Sequence, residues 1–361
     1  MYRLFLALVT VLPLLAANID RQLATIKAVG AEGSGNAAAA AAWQQISSSN
    51  SEQVVPILVA IKGASPVAAN YLRAAAETIV SRELKAGKNL GLAPLLAYLA
   101  DTKNDPRARR LAFELIRQID PDKASPLISG FADDPSLELR ADAVAQIISL
   151  AQEQEGANGV AEWQTALNHA RDLKQIEVIT KALEDAGQKV DLQTHFGFLP
   201  NWQIIGPFDN SERKGFAVAY APEAKVDLKA TYKGKDETVR WQRLSSDDPY
   251  GMVDINPALG ALKGSIAYAT TTITAKAARD AQLRLGCKNA WKVWVNGTLI
   301  FARDEYHRGM RMDQYHLSVS LRKGANTVLI KLCQDEQTQP WTKEWQFQMR
   351  LCDELGAAIA P

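Results

Sequence analysis

Trp291–Ala302 reads WKVWVNGTLIFA and Leu321–Leu332 reads LRKGANTVLIKL. In the first stretch, two runs of strand-forming residues, Trp291–Val295 and Thr298–Ala302, flank Asn296-Gly297. A two-residue turn that matches the twist of paired strands needs positive φ at both positions, so Asn-Gly here is the strongest short-range hairpin signal. In the second stretch, Val328, Ile330 and Leu332 share one face at period two, the pattern of a half-buried strand. The same period puts Trp345, Phe347, Met349 and Leu351 on one face of WQFQMRL. It does so for Leu317, Val319 and Leu321 in HLSVSL, and for Ala281, Leu283, Leu285 and Cys287 in AQLRLGC. Short strands separated by turns at near-even spacing predict an antiparallel β-sandwich over residues 191–361. Six of the eight tryptophans lie beyond Asn201, so the composition shifts where the sandwich begins.

Upstream, residues 18–189 are rich in Ala, Leu, Ile, Gln and Glu at helical spacing. Three stretches there resemble one another: Val55–Val80, Ala93–Ile119 and Ser125–Ile148. Each has a proline opening a short apolar helix (Pro56, Pro94, Pro126), a polar turn, and a second proline opening an amphipathic helix (Pro66, Pro106, Pro135). Proline is tolerated in a first helical turn because no intrahelical N–H bond is lost there. Asp105 and Asp134 stand where they can cap the free amides. These units resemble HEAT-type repeats, including the Asp-Pro turn and an arginine on the second helix (Arg73, Arg109 or Arg110, Arg140). The resemblance implies a helical solenoid over 51–190, with 156–187 as its cap. Residues 18–50 are read as a linker and first helix. Within them Gly30–Ala42 (GAEGSGNAAAAAA) reads as a low-complexity linker, because Asn36 and Ala37 stand where a phosphate loop needs Lys and Ser/Thr.

Met1–Ala17 has Arg3, an apolar run from Leu4 to Leu15 and then small residues, the pattern of a secretory signal peptide. The run is shorter than a membrane span. The expectation is therefore an exported protein, periplasmic or secreted, with no membrane span after signal removal. The charge is nearly balanced, 41 Lys+Arg against 40 Asp+Glu. It is balanced within each half too: −3 over Asn18–Val190 and +3 over Asp191–Pro361. No basic excess exists to draw a polyanion, so nucleic acid is excluded as a partner.

The order of motifs over Gln282–Gly286, Val293–Gly297, Asp313, Leu317–Leu321, Leu321–Asn326 and Thr327–Leu332 is similar to that of galactose-binding-like jelly rolls. It is similar in particular to the non-catalytic sugar-binding domain of family 2 glycoside hydrolases. Trp202–Glu223 (WQIIGPFDNSERKGFAVAYAPE) resembles the opening of this sandwich in exported bacterial proteins. The resemblance implies a jelly roll that binds sugars or proteins, or braces its neighbours. Calcium-dependent relatives hold the ion through acidic residues where this chain has Cys287-Lys288-Asn289-Ala290. A lysine has no acceptor for calcium, so no metal site is expected.

If consecutive strands reverse direction, the connections at 288–290, 303–313 and 334–344 gather at one end and the tight turns at the other. A ligand at the loop end would meet Lys288, Asn289, Arg303, Asp304, Tyr306, His307, Arg311 and Trp341. Aromatic faces beside directed donors and acceptors suit carbohydrate. No catalytic residues and no cofactor are expected. The nucleophile-elbow, metalloprotease and dinucleotide motifs are missing, and Asp304-Glu305 are neighbours on one loop rather than carboxylates across a cleft. The four histidines share no ligand spacing. Strand parity turns Cys287 inward and Cys333 and Cys352 to the opposite faces, with no confident disulfide. Asn296-Gly297-Thr298 matches a glycosylation sequon but is better explained as the hairpin turn. The chain thus reads as a multidomain α + β protein, a HEAT-like solenoid followed by a β-sandwich. Its role reads as binding or scaffolding, with a glycan on the loops and a protein partner on the helices. A purely structural interaction module is the second reading, and an unrecognised glycan-active hydrolase the third.

Overall fold

The computed structural model describes residues 11–154 and 156–359, which fall into two compact units that divide between Gln188 and Lys189. The first seventeen residues, read as a leader, lie outside the described residues as far as Thr10.

The first unit is helical. Helix α1 spans Val11–Lys27, α2 Asn36–Ser47, α3 Val54–Ala60, α4 Pro66–Lys85 and α5 Ala93–Ala100. Helices α6 (Pro106–Ile119), α7 (Pro121–Ala124), α8 (Leu137–Gln152), α9 (Gly156–His169) and α10 (Leu173–Asp185) complete it. The linker expected over Gly30–Ala42 is only a turn, with Gly33 and Gly35 at positive φ. Alanine loses no side-chain freedom in a helix, and the Ala-rich run forms α2, burying Ala39, Ala42 and Ile46. Helix α4 starts at Pro66 behind Ser65, whose hydroxyl accepts Ala68 N–H at 3.2 Å. Helix α6 starts at Pro106 behind Asp105, which accepts Arg107 N–H at 2.9 Å.

The third of the similar stretches departs from expectation. Ser125–Phe131 is a 3-10 helix rather than an α-helix, and α8 begins two residues beyond Pro135. Ser129 and Gly130 are weak helix formers. Asp134 does not cap the first helical turn, because it is engaged elsewhere. Its two oxygens accept the Arg109 guanidinium at 2.6 and 2.7 Å, and Oδ1 also accepts Ser136 N–H at 2.7 Å. Arg109 is 2% exposed and donates from Nε to Leu99 O at 2.8 Å. Arg140 continues this ladder by donating to Asp134 O at 3.0 Å. Nearer the surface, Arg73 pairs with Glu114, and Arg110 with Glu114 and Asp142, linking α4 to α6 and α6 to α8. His169, at the end of α9, accompanies Asp133 at 2.9 Å.

The second unit opens with α11 (Leu192–Phe196) and carries twelve strands among the described residues, all paired antiparallel. These are β1 (Asn201–Asp209), β2 (Thr231–Lys233), β3 (Thr238–Arg240), β4 (Gln242–Ser245), β5 (Met252–Asp254) and β6 (Ser265–Ala275). The rest are β7 (Arg279–Cys287), β8 (Ala290–Val295), β9 (Thr298–Arg303), β10 (Tyr315–Leu321), β11 (Gly324–Gln334) and β12 (Gln346–Cys352). Two short helices, α12 (Ala221–Ala224) and α13 (Asn256–Leu259), lie in the connections. One sheet has the order β4-β1-β6-β11-β8-β9, a second β10-β7-β12-β5, and β2-β3 is a separate hairpin. The alternating residues quoted above meet in one core between the sheets, around Trp291, Ile330, Leu285 and Phe347.

At the Asn-Gly hairpin, Asn296 and Gly297 have φ of 52° and 82°, and Val295 pairs with Thr298. Asn326, wholly buried, accepts from Arg322 N–H at 3.0 Å and donates to Arg322 O at 2.8 Å. Its Oδ1 also accepts Asn296 Nδ2 at 2.9 Å, so the two turn motifs form one hydrogen-bonded device. All three cysteines are free and buried. Cys287 lies in the inter-sheet core, and burial pushes its thiol up to about 12. Cys333 and Cys352 point away from that core yet are buried on the outer faces.

Removing one partner of a buried ion pair leaves an uncompensated charge and costs about 3–5 kcal/mol. Asp134→Ala should lower the unfolding free energy of the helical unit by that order, measured by urea denaturation. The double variant Arg109→Met, Asp134→Leu, which removes both charges, should recover most of the loss.

Candidate functional site

Three connections of the sandwich meet at one end, joined by the segment that follows β1. The end of β11 brings Gln334 and Asp335, both fully buried. Asp335 accepts His307 Nε2 at 2.7 Å, the Arg213 guanidinium at 2.7 Å and Gln337 N–H at 3.1 Å. Asn210 donates to Tyr306 Oη at 3.1 Å and to Gln334 O at 3.0 Å. Asn289 donates to Gln334 Oε1 at 3.1 Å, and Gln334 donates onward to Thr342 O at 2.9 Å. Lys288 pairs with Glu344, and its carbonyl accepts Arg308 N–H at 3.2 Å. The Arg213 guanidinium stands 4.8 Å from the centre of the Tyr306 ring. Glu212, Arg213 and His307 all adopt left-handed backbone, with φ of 57°, 62° and 56°. Such strain persists where surrounding contacts over-determine it, as the ties of His307 and Arg213 to Asp335 and of Glu212 N–H to Glu336 do here.

Burial pushes the Asp335 carboxyl up, but the His307 hydrogen bond, the Gln337 amide and the Arg213 charge outweigh it and hold it below the ordinary carboxylate value. Burial pushes the Tyr306 phenol up. Two buried acceptors, Asn210 Oδ1 and Asn289 Oδ1, have no hydrogen-bond partner among the described residues.

The eight residues singled out from the sequence divide here. Lys288, Asn289, Tyr306 and His307 come together, but apart from Asn289 Oδ1 their side chains are engaged with neighbours. Arg303 pairs with Glu305 at 3.1 Å and lies 5.7 Å from the Tyr315 ring centre. Asp304, Arg311 and Trp341 are exposed. Trp341 is 63% exposed in the turn Pro340–Thr342. That turn is fixed from below: Thr342 donates to Gln337 O at 2.7 Å, and its carbonyl accepts Lys263 Nζ at 2.6 Å and Gln334 Nε2 at 2.9 Å. Asn210, Arg213 and Asp335 were not among the sequence candidates. Asn210 closes the run IGPFDN and Asp335 follows directly on a buried strand, the features from which these two could have been found. Among the described residues no three His, Cys, Asp or Glu side chains are placed to hold a metal ion, and no helix is long and apolar enough to cross a membrane.

No family model and no curated protein matches the chain. Among solved structures, β-glucosidase from Kluyveromyces marxianus in complex with glucose is similar over 25% of this chain and 11% of its own, at 14% identity and a TM-score of 0.20. The selenomethionine-labelled form of the β-glucosidase from that organism is similar over 44% and 17%, at 12% identity and a TM-score of 0.27. The GH31 alpha-xylosidase from Xanthomonas citri is similar over 35% and 18%, at 12% identity and a TM-score of 0.21. The chain thus spans less than a fifth of the length of each of these structures. At these scores the likenesses carry no argument about function.

Because the folded state holds the Asp335 carboxyl below its ordinary value, its contribution to stability is present above about pH 4 and lost as pH falls through the folded value. Asp335→Asn should therefore be less stable than wild type at pH 7, and the gap should narrow on acidification. Thermal unfolding followed from pH 7 to pH 3 checks this; a gap of constant size would remove the ion pair as its cause.

Proposed function

We propose that this is an exported, non-catalytic binding or scaffold protein. In this reading a HEAT-like helical repeat makes protein contacts, and a galactose-binding-like jelly roll binds carbohydrate at the end that carries Trp341. The observation that carries the carbohydrate reading is the indole of Trp341, left in solvent on a turn held by three hydrogen bonds to Thr342. An aromatic ring on a rigid support is a platform for the apolar face of a sugar, and its ordering is complete before the ligand arrives. Asp304 and Arg311, exposed on the connection between β9 and β10, supply directed acceptors and donors for hydroxyl groups. The Asp-Pro turn and the ladder of Arg109, Asp134 and Arg140 support the HEAT-like reading. The apolar run from Leu4 to Leu15 behind Arg3 supports export.

Glycan-array and polysaccharide pull-down measurements on wild type and Trp341→Ala test this. The variant should bind at least about tenfold more weakly, since a buried aromatic anchor contributes on the order of 1–2 kcal/mol or more. Its thermal stability should be unchanged, because the lost side chain is solvated in the free protein. Equal binding by both proteins would remove Trp341 from the site, and no glycan bound by either would overturn the carbohydrate reading.

A further inference from the structure

The sandwich has a concavity that shares no lining residue with the loops that carry Trp341. This cleft, about 470 Å³, lies between the β2-β3 hairpin, β1 and α13, within the range of about 300–1,000 Å³ usual for small-molecule sites. Thr231, Glu237, Thr238, Arg240 and Gln242 line one side, and Pro207 and Leu259 contribute apolar surface.

The cleft is held open by the fold. Thr231 pairs with Arg240 and Lys233 with Thr238 across the hairpin, and buried Val239 fixes it on the outer core. The hairpin tip is tethered to β1 through Lys235 N–H donating to Pro207 O at 2.8 Å, and to Gly264 O through Lys235 Nζ at 2.6 Å. Gln242 Nε2 donates to Ala258 O at 3.4 Å, tying that side to α13, and Asp254 Oδ1 accepts Asn256 N–H at 3.0 Å where α13 begins.

What distinguishes this cleft from the loop end is that most of its polar side chains are unengaged. The side chains of Thr231, Glu237, Thr238 and Arg240 make no hydrogen bond or ion pair among the described residues. Together with Gln242 they present hydroxyl, carboxylate, guanidinium and amide groups, donors and acceptors whose formal charges cancel. A phosphate-rich ligand would meet Glu237 with no excess of positive charge to offset it. A neutral sugar fits both surfaces, its C–H face on Pro207 and Leu259 and its hydroxyls on the polar side.

We infer that this cleft is a second carbohydrate site, taking a neutral pyranose unit. The inference rests on the reading of the sandwich as a carbohydrate-binding module, but not on Trp341. Calorimetric titration of the full chain with cellobiose, maltose, lactose and xylobiose, to roughly 20 mM each, tests it in wild type, Arg240→Ala, Thr238→Val and Trp341→Ala. At least one disaccharide should bind wild type, with Arg240→Ala and Thr238→Val each weakening it about tenfold and Trp341→Ala leaving a cleft component intact. Both cleft positions are exposed, and unchanged thermal unfolding shows that the variants are folded. Binding lost only in Trp341→Ala would sink the cleft and leave the loop end standing. Binding lost only in the cleft variants would do the reverse. No binding by any of the four disaccharides would overturn the assignment of a neutral sugar.

Discussion

The ammonium group of Lys331 lies at the centre of the sandwich's larger sheet and is fully buried. Strand β11, which carries it, is paired on both sides, with β6 and β8. Taking such a charge out of water costs several kcal/mol unless its donors are filled. Three acceptors fill them: Val218 O at 2.6 Å, Glu223 Oε1 at 2.9 Å and Phe216 O at 3.2 Å. Tyr268 donates its hydroxyl to the same Glu223 carboxylate. Burial pulls the Lys331 ammonium below the ordinary lysine value, and Glu223 opposes that pull. All three acceptors come from residues 216–223, so this segment lies across the outer face of the sheet. It closes a second core of Phe208, Tyr268, Trp294 and Cys333, with Phe216 and Tyr220 packed on it.

The same segment begins at the loop end. Asn210 and Arg213 stand a few residues before the Lys331 acceptors, and they reach Tyr306, Gln334 and Asp335. A charge buried mid-strand thus fixes the path of a chain whose upstream residues organise the polar end of the sandwich. That end then satisfies most of its own donors and acceptors. What it leaves in solvent includes the Trp341 indole on a fixed turn and, on the connection between β9 and β10, Asp304 and Arg311. The hairpin cleft has the opposite character, with fixed walls and unengaged side chains.

Strand alternation makes the inter-sheet core legible, because each half-buried strand reports one face by itself. The outer faces are not legible in the same way. Lys331 alternates with Ile330 and Leu332 as a solvent-facing residue would, and Cys333 and Cys352 sit on faces that parity assigns outward. Their burial depends on irregular segments distant in sequence, and no period marks those. Gathering of the loops follows from strand reversal, but reversal says nothing of which side chains pair. The engagement of His307 with Asp335, and of Lys288 with Glu344, therefore emerges only in three dimensions. In the helical unit the proline and cap signals place α4 and α6. The alanine run reads as a linker instead of a helix because low complexity and high helix propensity look alike until a buried face is found for it.

Both units place buried guanidinium–carboxylate pairs where a regular element gives way to an irregular one. Arg109 holds Asp134 in the turn that precedes α8. Arg350 holds Asp313, itself at φ 55°, just before β10, through bonds of 2.7 and 2.6 Å, and Arg284 adds a third at 3.0 Å. Burial pushes the Asp313 carboxyl up, but the two arginines hold it below its ordinary value. Arg350 also donates to Phe196 O and Gly356 O, drawing in both ends of the unit. Buried pairs add little net stability over apolar packing of the same volume. Their directional bonds instead select one path for a connection whose own sequence allows many. The same directional logic, without an ion pair, fixes the Trp341 turn through Lys263, Gln334 and Gln337 at Thr342.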